Sequence, residues 1–295
     1  MGNKFVVMGD LHLAEASPKS RIDDYQETLF NKLEFIFKTA EENDACILQP
    51  GDFFNQPNPS YEFFSKMVLL LKRHSEVSVF SIYGQHDLRY RNRTNTAIKA
   101  LNHACDNFFI LENNILYKKQ YHLYGVSYGG EIPEIEYDKK NILLIHKMII
   151  KDKKVWAGQA DYTEASGLLK KRGFEIIVSG DNHQLFTEEY KGRKLFNCGS
   201  VMRSSISQVN HKPTIFLIDD DCAEEIQIPI QPSKKVFKLE EIERENSRSE
   251  EINSFIEGLS EQKEMGLDFE DNLEKYCKQN NVPKEIRQII KENMR

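Results

Sequence analysis

Two residues with metal-ligating side chains follow the first apolar run of the chain. Residues 4–8 have the composition of a short buried strand, and Gly9 ends this strand before Asp10 and His12. In extended backbone, residues i and i+2 point to the same side. A carboxylate and an imidazole therefore leave the end of this strand together, as two ligands of one metal ion must.

The same arrangement recurs at four later points of the sequence. Four more strand-like runs end in residues that can ligate metals, and glycine precedes the first such residue in three of them. These residues are Asp52; Gln85, His86 and Asp87; His146; and Asp181 and His183. In open α/β sheets, binding sites form outside the carboxyl ends of the strands. Strands that share one sheet edge would therefore bring all of these side chains together.

Two-metal hydrolysis is the chemistry that needs such a set. Two divalent ions about 3.5–4 Å apart share a carboxylate, activate a water molecule and hold the phosphoryl oxygens. Mixed imidazole, carboxylate and amide ligands favour manganese, iron or zinc over magnesium alone. The other four histidines lack such neighbours, so we expect structural or surface roles for His74, His103, His122 and His211.

Strands that alternate with helices are predicted to position these residues. Apolar spacing predicts helices at 22–43, 61–74, 95–104 and 160–172, with Ser60 as the N-cap of the second. Buried strands are predicted at 45–49, 77–83, 141–145 and 175–179, short ones between 108 and 128, and three more at 194–197, 214–219 and 225–229. This order predicts an α/β protein, with two sheets packed face to face and helices outside in an α/β/β/α sandwich.

The composition changes near residue 230. From there to residue 295, charged residues alternate with apolar ones at helical spacing. We therefore predict a catalytic domain at 1–230 and a small helical segment at 231–295, which would either pack on the domain or bind a partner.

Composition excludes several classes of protein. A net charge of −6 argues against a polycationic nucleic-acid binder, so phosphate contacts must come from local patches. No apolar run approaches the roughly 20 residues of a membrane span, and the N-terminus lacks the apolar region of a signal peptide. Five scattered cysteines without a CxxC pattern fit a reduced protein. We expect a location in the cytoplasm, of a bacterium or of a phage-infected host cell.

The five strand ends resemble the sequence blocks of a known family. GDLH, GD, GQHD, a strand-final histidine and GDNH, in this order, are similar to the GDxH, GD, GNHD/E, H and GHxH blocks of calcineurin-like metallophosphoesterases. The resemblance covers residues 5–200. It implies two divalent ions, the first held by Asp10, His12 and His183, the second by Gln85, His146 and Asp181, with Asp52 bridging them. It also implies that His86 acts on the substrate as general acid or as a stabiliser of transition-state charge, and that Asp87 orients His86 and raises its pKa.

Two residues depart from the family pattern. Gln85 stands where the family usually has Asn, which keeps the amide oxygen but adds a methylene group. Asp181 stands where the family usually has His, which makes the second site richer in oxygen. Hard, anionic ligands of this kind favour manganese.

Within the superfamily, the sequence is most similar to SbcD-type DNA-repair nucleases. NCGSVMRSS at 197–205 resembles their NPGSxxRxS segment, and the helical tail lies where that group binds the coiled coil of an SbcC-type ATPase. LRYRNR directly follows the HD pair and suits a nucleic-acid backbone and a stacked base. This resemblance implies DNA and an SbcC-type ATPase as partners, no membrane, and substrate contacts from Arg89, Arg91, Arg93 and Arg203; a homodimer is left open.

Three functions remain open at this point. The first is a manganese-dependent DNA exonuclease or endonuclease in break processing. The second is a small-molecule phosphodiesterase or a phosphatase on the same scaffold, for which the LRYRNR loop would be only a solvated surface. The third is a non-catalytic scaffold with a decayed metal site, in which the tail is the working part.

Overall fold

Two six-stranded sheets form the centre of the molecule. The computed structural model describes residues 4–90, 92–112, 115–117, 120–135, 140–151, 161–171, 173–219 and 222–238, with scattered positions from 240 to 287. In spatial order, sheet one contains β14 (Cys222–Gln227), β13 (Thr214–Asp219), β1 (Lys4–Val7), β2 (Ala45–Gln49), β3 (Val79–Ser81) and β4 (Phe108–Ile110). Sheet two contains β11 (Phe186–Tyr190), β12 (Arg193–Asn197), β10 (Ile176–Gly180), β7 (Lys140–His146), β6 (Tyr121–Val126) and β5 (Ile115–Tyr117).

Each sheet has a parallel centre with antiparallel strands at its edges. β1 to β4 run parallel, and β13 and β14 extend that sheet as an antiparallel pair. In sheet two, β6, β7, β10 and β12 run parallel, with β5 and β11 antiparallel at the two edges. A small separate pair joins β8 (Ile149–Ile150) to β9 (Thr163–Glu164).

Helices cover the outer faces of both sheets. α1 (Tyr25–Glu42), α2 (Tyr61–Arg73) and α3 (Ala97–Ala104) pack on sheet one, and α4 (Ala165–Lys171) packs on sheet two. A short helix, α5 (Ser233–Val236), follows the last strand. The predicted α/β/β/α sandwich is confirmed.

Alternate residues of the central strands face different layers. On β1, Phe5 and Val7 enter the core between the two sheets, whereas Val6 packs toward the helices. On β7, Leu144 faces the other sheet and Leu143 faces α4. Both faces are buried, which explains why these strands read as continuous apolar runs rather than as alternating ones.

Local signals explain where the elements differ from the prediction. Ser60 caps α2 as predicted, since its hydroxyl accepts the Phe63 N–H at 3.2 Å. α1 begins at Tyr25 because Asp24 caps it, and Ile22, where the helix was predicted to begin, is 55% exposed. The strand Phe186–Tyr190 was not predicted, because as an edge strand its half-buried positions alternate with the exposed Thr187 and Glu189.

Residues 231–238 pack on the catalytic domain. Ile22 donates its N–H to the Val236 carbonyl at 2.9 Å. Phe237 is fully buried, with the guanidinium groups of Arg21 and Arg203 at 5.5 and 5.7 Å from its ring centroid. These residues of the predicted helical segment therefore pack on the rest of the described structure, and the boundary near residue 230 stays a prediction. Most of the predicted partner-binding segment lies outside the described residues. Among the helices that the structure describes, none has the length and apolar character needed to cross a lipid bilayer.

Candidate metal centre

The five predicted blocks meet where the carboxyl ends of both sheets come together. β1, β2 and β3 of sheet one lead to Asp10, Asp52 and Gln85, whereas β7 and β10 of sheet two lead to His146 and Asp181. The site thus lies between two sheets rather than along one shared edge. Asp181 joins them directly, because its N–H donates to Asp10 Oδ2 at 2.9 Å.

The residues predicted for the first metal form one compact group. The Nε2 atoms of His12 and His183 lie 3.0 Å apart, and His183 Nε2 lies 3.5 Å from Asp10 Oδ2. One ligand atom from each of these three residues falls within 4.8 Å of the other two. One cation could therefore contact all three side chains.

Asp52 lies between the two predicted metal positions. Its Oδ2 atom is 3.6 Å from His12 Nε2 on one side and 3.4 Å from His146 Nε2 on the other. Its Oδ1 atom accepts the backbone N–H of His86 at 2.8 Å, which fixes the carboxylate plane. This is the position that a bridging carboxylate requires.

The residues predicted for the second metal also contact one another. His146 Nδ1 lies 2.7 Å from the Pro50 carbonyl oxygen, so it carries the proton and leaves Nε2 as the nitrogen available to a metal. His146 Nε2 lies 2.7 Å from Gln85 Oε1, and Gln85 Nε2 donates to Asp181 Oδ1 at 2.9 Å. The longer side chain of Gln85 thus reaches both other members of the group.

Several atoms of the centre have the properties of metal ligands. Asp10 Oδ1 and Asp52 Oδ2 are buried and accept no hydrogen bond from the described residues. Burial raises the pKa of Asp10 well above its usual range and lowers the pKa of His12 to about 4. For His146, burial lowers the pKa, but Asp52 and Asp10 outweigh it and raise the pKa to about 10. A buried cluster that holds a proton this tightly attracts cations, so the residues fit divalent ions.

Three of the predicted ligands have left-handed backbone. The φ angles of His12, Asp52 and Asp181 are 44°, 49° and 81°. Such conformations cost roughly 1–3 kcal/mol in residues other than glycine, and they concentrate at functional sites. The neighbouring glycines have a different role, because a Cβ atom on Gly84 or Gly180 would collide with the Asp52 or Asp10 carboxylate.

Sequence comparison assigns the family. The model of the calcineurin-like phosphoesterase family matches residues 3–185, which is more than half of the chain. The chain belongs to this family. No curated protein matches this phosphoesterase.

Two solved structures share its fold at low sequence identity, and a third is more weakly similar. The protein TT1561 of Thermus thermophilus is 13% identical, with a TM-score of 0.51 over 78% of this chain and 100% of that chain. A putative 5'-nucleotidase from Staphylococcus aureus is 14% identical, with a TM-score of 0.52 over 78% of this chain and 55% of that chain. A novel archaeal phosphodiesterase is 14% identical, with a TM-score of 0.41 over 76% of this chain and 99% of that chain.

His86 lies at the mouth of the phosphoesterase centre. Its ring centroid is 4.8 Å from that of His12, and its Nδ1 atom lies 3.1 Å from the Asn55 carbonyl oxygen. The Asn55 carbonyl accepts the Nδ1 proton, so Nε2 is the nitrogen available to a substrate. The contact between His86 and the substrate stays a prediction.

Asp87 does not orient His86, which corrects the predicted role. Its buried carboxylate accepts three backbone N–H groups, from Phe53 at 3.2 Å, Phe54 at 2.9 Å and Gly84 at 3.0 Å. Burial and then Asp52 raise the pKa of Asp87 to about 7, while the three amide donors favour its carboxylate form. Asp87 instead fixes the two loops that carry Asp52 and Gln85.

The arginines that were predicted to contact the substrate differ in burial. Arg89 and Arg93 are exposed, with guanidinium groups 5.7 Å from the Tyr90 ring and 5.6 Å from the Tyr83 ring. Arg91 lies outside the described residues. Arg203 is buried and donates to the carbonyls of Val209 and Gln231 and to the Ser233 hydroxyl. It anchors the chain behind the site, so its predicted contact with substrate is wrong.

Buried amides that were not predicted hold the ligand loops. Gln49, at the end of β2, exchanges two hydrogen bonds with the Gly51 backbone and accepts one from the Ser81 hydroxyl. Asn197 donates to the carbonyls of Asn182 and Gln184, on either side of His183. The signal that could have found them is an amide at the end of an otherwise apolar strand, as in ACILQ and KLFN.

A cavity of 810 Å³ opens beside the first metal group. His12, His86 and His183 line one side of it. The other lining residues are Asn55, Gln184, Leu185, Ser200, Ser204, Ser205, Ser207, Gln208 and His211. His211, predicted as structural or surface, thus reaches the site from 28 residues beyond the last metal block.

Proposed function

We propose that this phosphoesterase is a manganese-dependent phosphodiesterase that cleaves DNA as exonuclease or endonuclease. The observation that carries the proposal is an exposed loop with arginine and tyrosine side chains that directly follows His86 in the sequence. Arg89, Tyr90 and Arg93 follow His86 within seven residues and are all exposed. Cationic side chains contact phosphates, and an exposed aromatic ring offers a face for a base.

The residues of the centre have separate tasks in this reaction. Divalent ions held by the two groups would activate a water molecule and withdraw charge from the phosphoryl oxygens. His86 Nε2 contacts the phosphate or the leaving oxygen, where a proton or positive charge is needed. Asp87, Gln49 and Asn197 keep the ligand loops in place, since small displacements of the reacting groups reduce rates strongly.

We further propose that the protein is the nuclease subunit of an SbcCD-like complex in DNA end processing. Support comes from the resemblance of residues 197–205 to the SbcD-type segment and from the helical spacing after residue 238. The segment at 231–238 docks on the catalytic domain near Arg203, so a helical tail would leave the domain from a fixed point. A cytoplasmic location and a partner ATPase belong to this proposal.

A nucleotide phosphodiesterase or phosphatase is the second candidate. The cavity beside His12 and His183 has a size typical of small-molecule pockets, which range from about 300 to 1,000 Å³. Its described lining contains no lysine or arginine, whereas a site for long DNA would gain from cations there. This observation favours a substrate of nucleotide size.

The test compares two kinds of substrate on one enzyme. Purified protein with Mn²⁺ is assayed on end-labelled single- and double-stranded DNA and on bis(p-nitrophenyl) phosphate. We expect the protein to cleave both kinds of substrate. In the double variant R89A/Y90A, we expect the rate of DNA cleavage to fall about tenfold, while the activity on the small ester is retained. Matched substitutions at two exposed positions outside this loop, K38A and Y61A, serve as the control.

The outcomes separate the candidates. Hydrolysis of the small ester and of nucleotides with intact DNA would support the second candidate and overturn the first. An equal loss of activity on both substrates in R89A/Y90A would show that the loop has no specific role in DNA binding. Absence of any hydrolysis, with no metal bound by elemental analysis, would indicate a decayed site.

A further inference from the structure

One wall of the active-site cavity is built by a segment that contains none of the metal ligands. Residues 200–211 supply six of its lining side chains, including Ser205, Gln208 and His211. None of the described lining residues carries a permanent charge, since lysine, arginine, aspartate and glutamate are all absent from them. A second phosphate would find no counter-charge there, whereas hydroxyl and amide groups would find hydrogen-bonding partners.

Hydrogen bonds within the protein hold the wall in place. Gln208 Oε1 accepts the N–H groups of Ser204 and Ser205 at 2.7 and 3.2 Å, which closes a 3₁₀ turn over Ile206–Gln208. Behind the wall, Arg203 donates to the Val209 carbonyl at 3.2 Å. A preformed wall can select a ligand without the cost of ordering a loop.

His211 lines this cavity, and the position of its proton is defined. Its Nε2 atom lies 2.6 Å from the Ser200 carbonyl oxygen, which can only accept a hydrogen bond, so Nε2 carries the proton. In the neutral ring, Nδ1 is then an acceptor. Burial lowers the pKa of His211, and the Ser200 carbonyl only partly opposes this, so the neutral form is the relevant one.

We propose that His211 is a substrate-binding residue whose Nδ1 atom accepts a hydrogen bond from the sugar hydroxyl of a nucleotide. This inference rests on the proposed function: the phosphate lies at the metal centre, and the uncharged nucleoside occupies the cavity. In a deoxynucleoside 5'-phosphate, the 3'-hydroxyl is the sugar donor that remains. The phosphoesterase would therefore recognise the 3'-hydroxyl of the terminal nucleotide by a hydrogen bond to His211.

Two variants of His211 test the contributions of its two ring nitrogens one at a time. H211Q places an amide N–H near the position of Nε2, so it can keep the bond to the Ser200 carbonyl, but it lacks the Nδ1 acceptor. H211N places its carbonyl oxygen near the position of Nδ1 and gives up the bond to Ser200. H103Q, on the exposed side of α3, is the matched control.

The experiment measures binding, so that it does not depend on turnover. Calorimetry with Mn²⁺-loaded protein gives the Kd of thymidine 5'-monophosphate and of its 3'-deoxy analogue, and the recovered nucleotides are checked for hydrolysis. One hydrogen bond contributes about 0.5–1.5 kcal/mol, so we expect wild type and H103Q to prefer the 3'-hydroxyl about twofold to twelvefold. H211Q should bind both nucleotides equally, and H211N should keep part of the preference.

Each result has a defined meaning. A preference that survives in H211Q, no preference in wild type, or no nucleotide binding would overturn the inference. If wild type prefers the nucleotide with the 3'-hydroxyl and H211Q does not, the proposed role of His211 is supported. If DNA also stays intact in the cleavage assay, the nuclease proposal is overturned while the role of His211 stands. Thermal melting of each variant shows that folding is retained.

Discussion

Gln85 and Asp181 contact each other: Gln85 Nε2 donates to Asp181 Oδ1 at 2.9 Å. These are the two residues at which the chain departs from the blocks that its family usually shows. The longer amide reaches the shorter carboxylate across the second metal group, and its Oε1 atom remains 2.7 Å from His146 Nε2. The two departures are therefore parts of one arrangement.

A double-mutant cycle tests this pairing. Q85N should shorten the reach of the amide, and D181H should remove its acceptor, so each single variant should lower manganese content and phosphodiesterase activity about tenfold or more. The double variant Q85N/D181H restores the usual family residues, and we expect it to recover part of the loss, with a coupling of about 1–2 kcal/mol. Elemental analysis and kcat/KM are measured on all four proteins, and strictly additive losses would contradict the pairing.

Asp52 is predicted to be the residue on which both metal positions depend. D52N keeps the shape of the side chain but removes its charge from between His12 and His146, so we expect a loss of at least about 100-fold in activity and a loss of bound metal. The same change at Asp219, which pairs with Lys4 at 3.4 Å, is the control and should have no effect on activity. Full metal occupancy in D52N would argue against a bridging carboxylate.

Metal binding is predicted to stabilise the fold. Ligand that binds only the folded state at 100 times its Kd adds about 2.7 kcal/mol to the free energy of unfolding. We expect Mn²⁺ to raise the Tm of wild type by several degrees and EDTA to reverse the shift. The D52N variant should show little of this shift, and an equal shift in both proteins would place the bound metal elsewhere.

The amide of Gln49 is predicted to be required for stability and for activity. Q49L would leave the Gly51 N–H and the Ser81 hydroxyl without their buried partner, which costs about 1–3 kcal/mol in the free energy of unfolding. Since Gly51 precedes Asp52, we also expect lower kcat. S81A removes one of the three hydrogen bonds, so urea unfolding should show a smaller loss for it, and a loss in Q49L smaller than that in S81A would contradict this account.

Lys32 is predicted to make stability depend on pH. It is buried on α1 and donates to the Val201 carbonyl at 2.7 Å, and burial, followed by the charges of Arg203 and Arg21, lowers its pKa from 10.5 to about 7. Between about pH 7 and pH 10 the unfolded state binds more protons than the folded one, so the free energy of unfolding should rise with pH.

The variant K32M should lack this rise, while K38M, at an exposed position of the same helix, should keep it. The comparison uses the slope with pH and not the absolute stability, because K32M also leaves the Val201 carbonyl without a donor. Urea unfolding at pH 6.5, 8 and 9.5 measures the slopes. Parallel slopes in wild type and K32M would show that Lys32 does not cause the effect.

Sequence alone determined the layered fold and the set of candidate metal-ligating residues that the structure brings together. Apolar runs buried on both faces have a composition that helices and loops do not share, and most of these runs end at a glycine followed by a ligand-type side chain. The order of strand, glycine and ligand-type residue is enough to identify the candidate ligands, because each of them directly follows its strand. The sequence also shows Gln85 in place of the usual Asn and Asp181 in place of the usual His. It does not show that these two side chains contact each other.

Only the tertiary structure decided how side chains distant in sequence are used. Asp87 follows His86 directly, yet its carboxylate turns inward to three backbone N–H groups. Arg203 lies in a segment that resembles a substrate-binding one, yet it is buried behind the cavity wall. His211 has no motif around it, and it lines the cavity because residues 200–211 form one of its walls, where its Nε2 atom bonds the Ser200 carbonyl. Backbone hydrogen bonds and burial set these positions, and both depend on contacts between segments that the linear order does not place together.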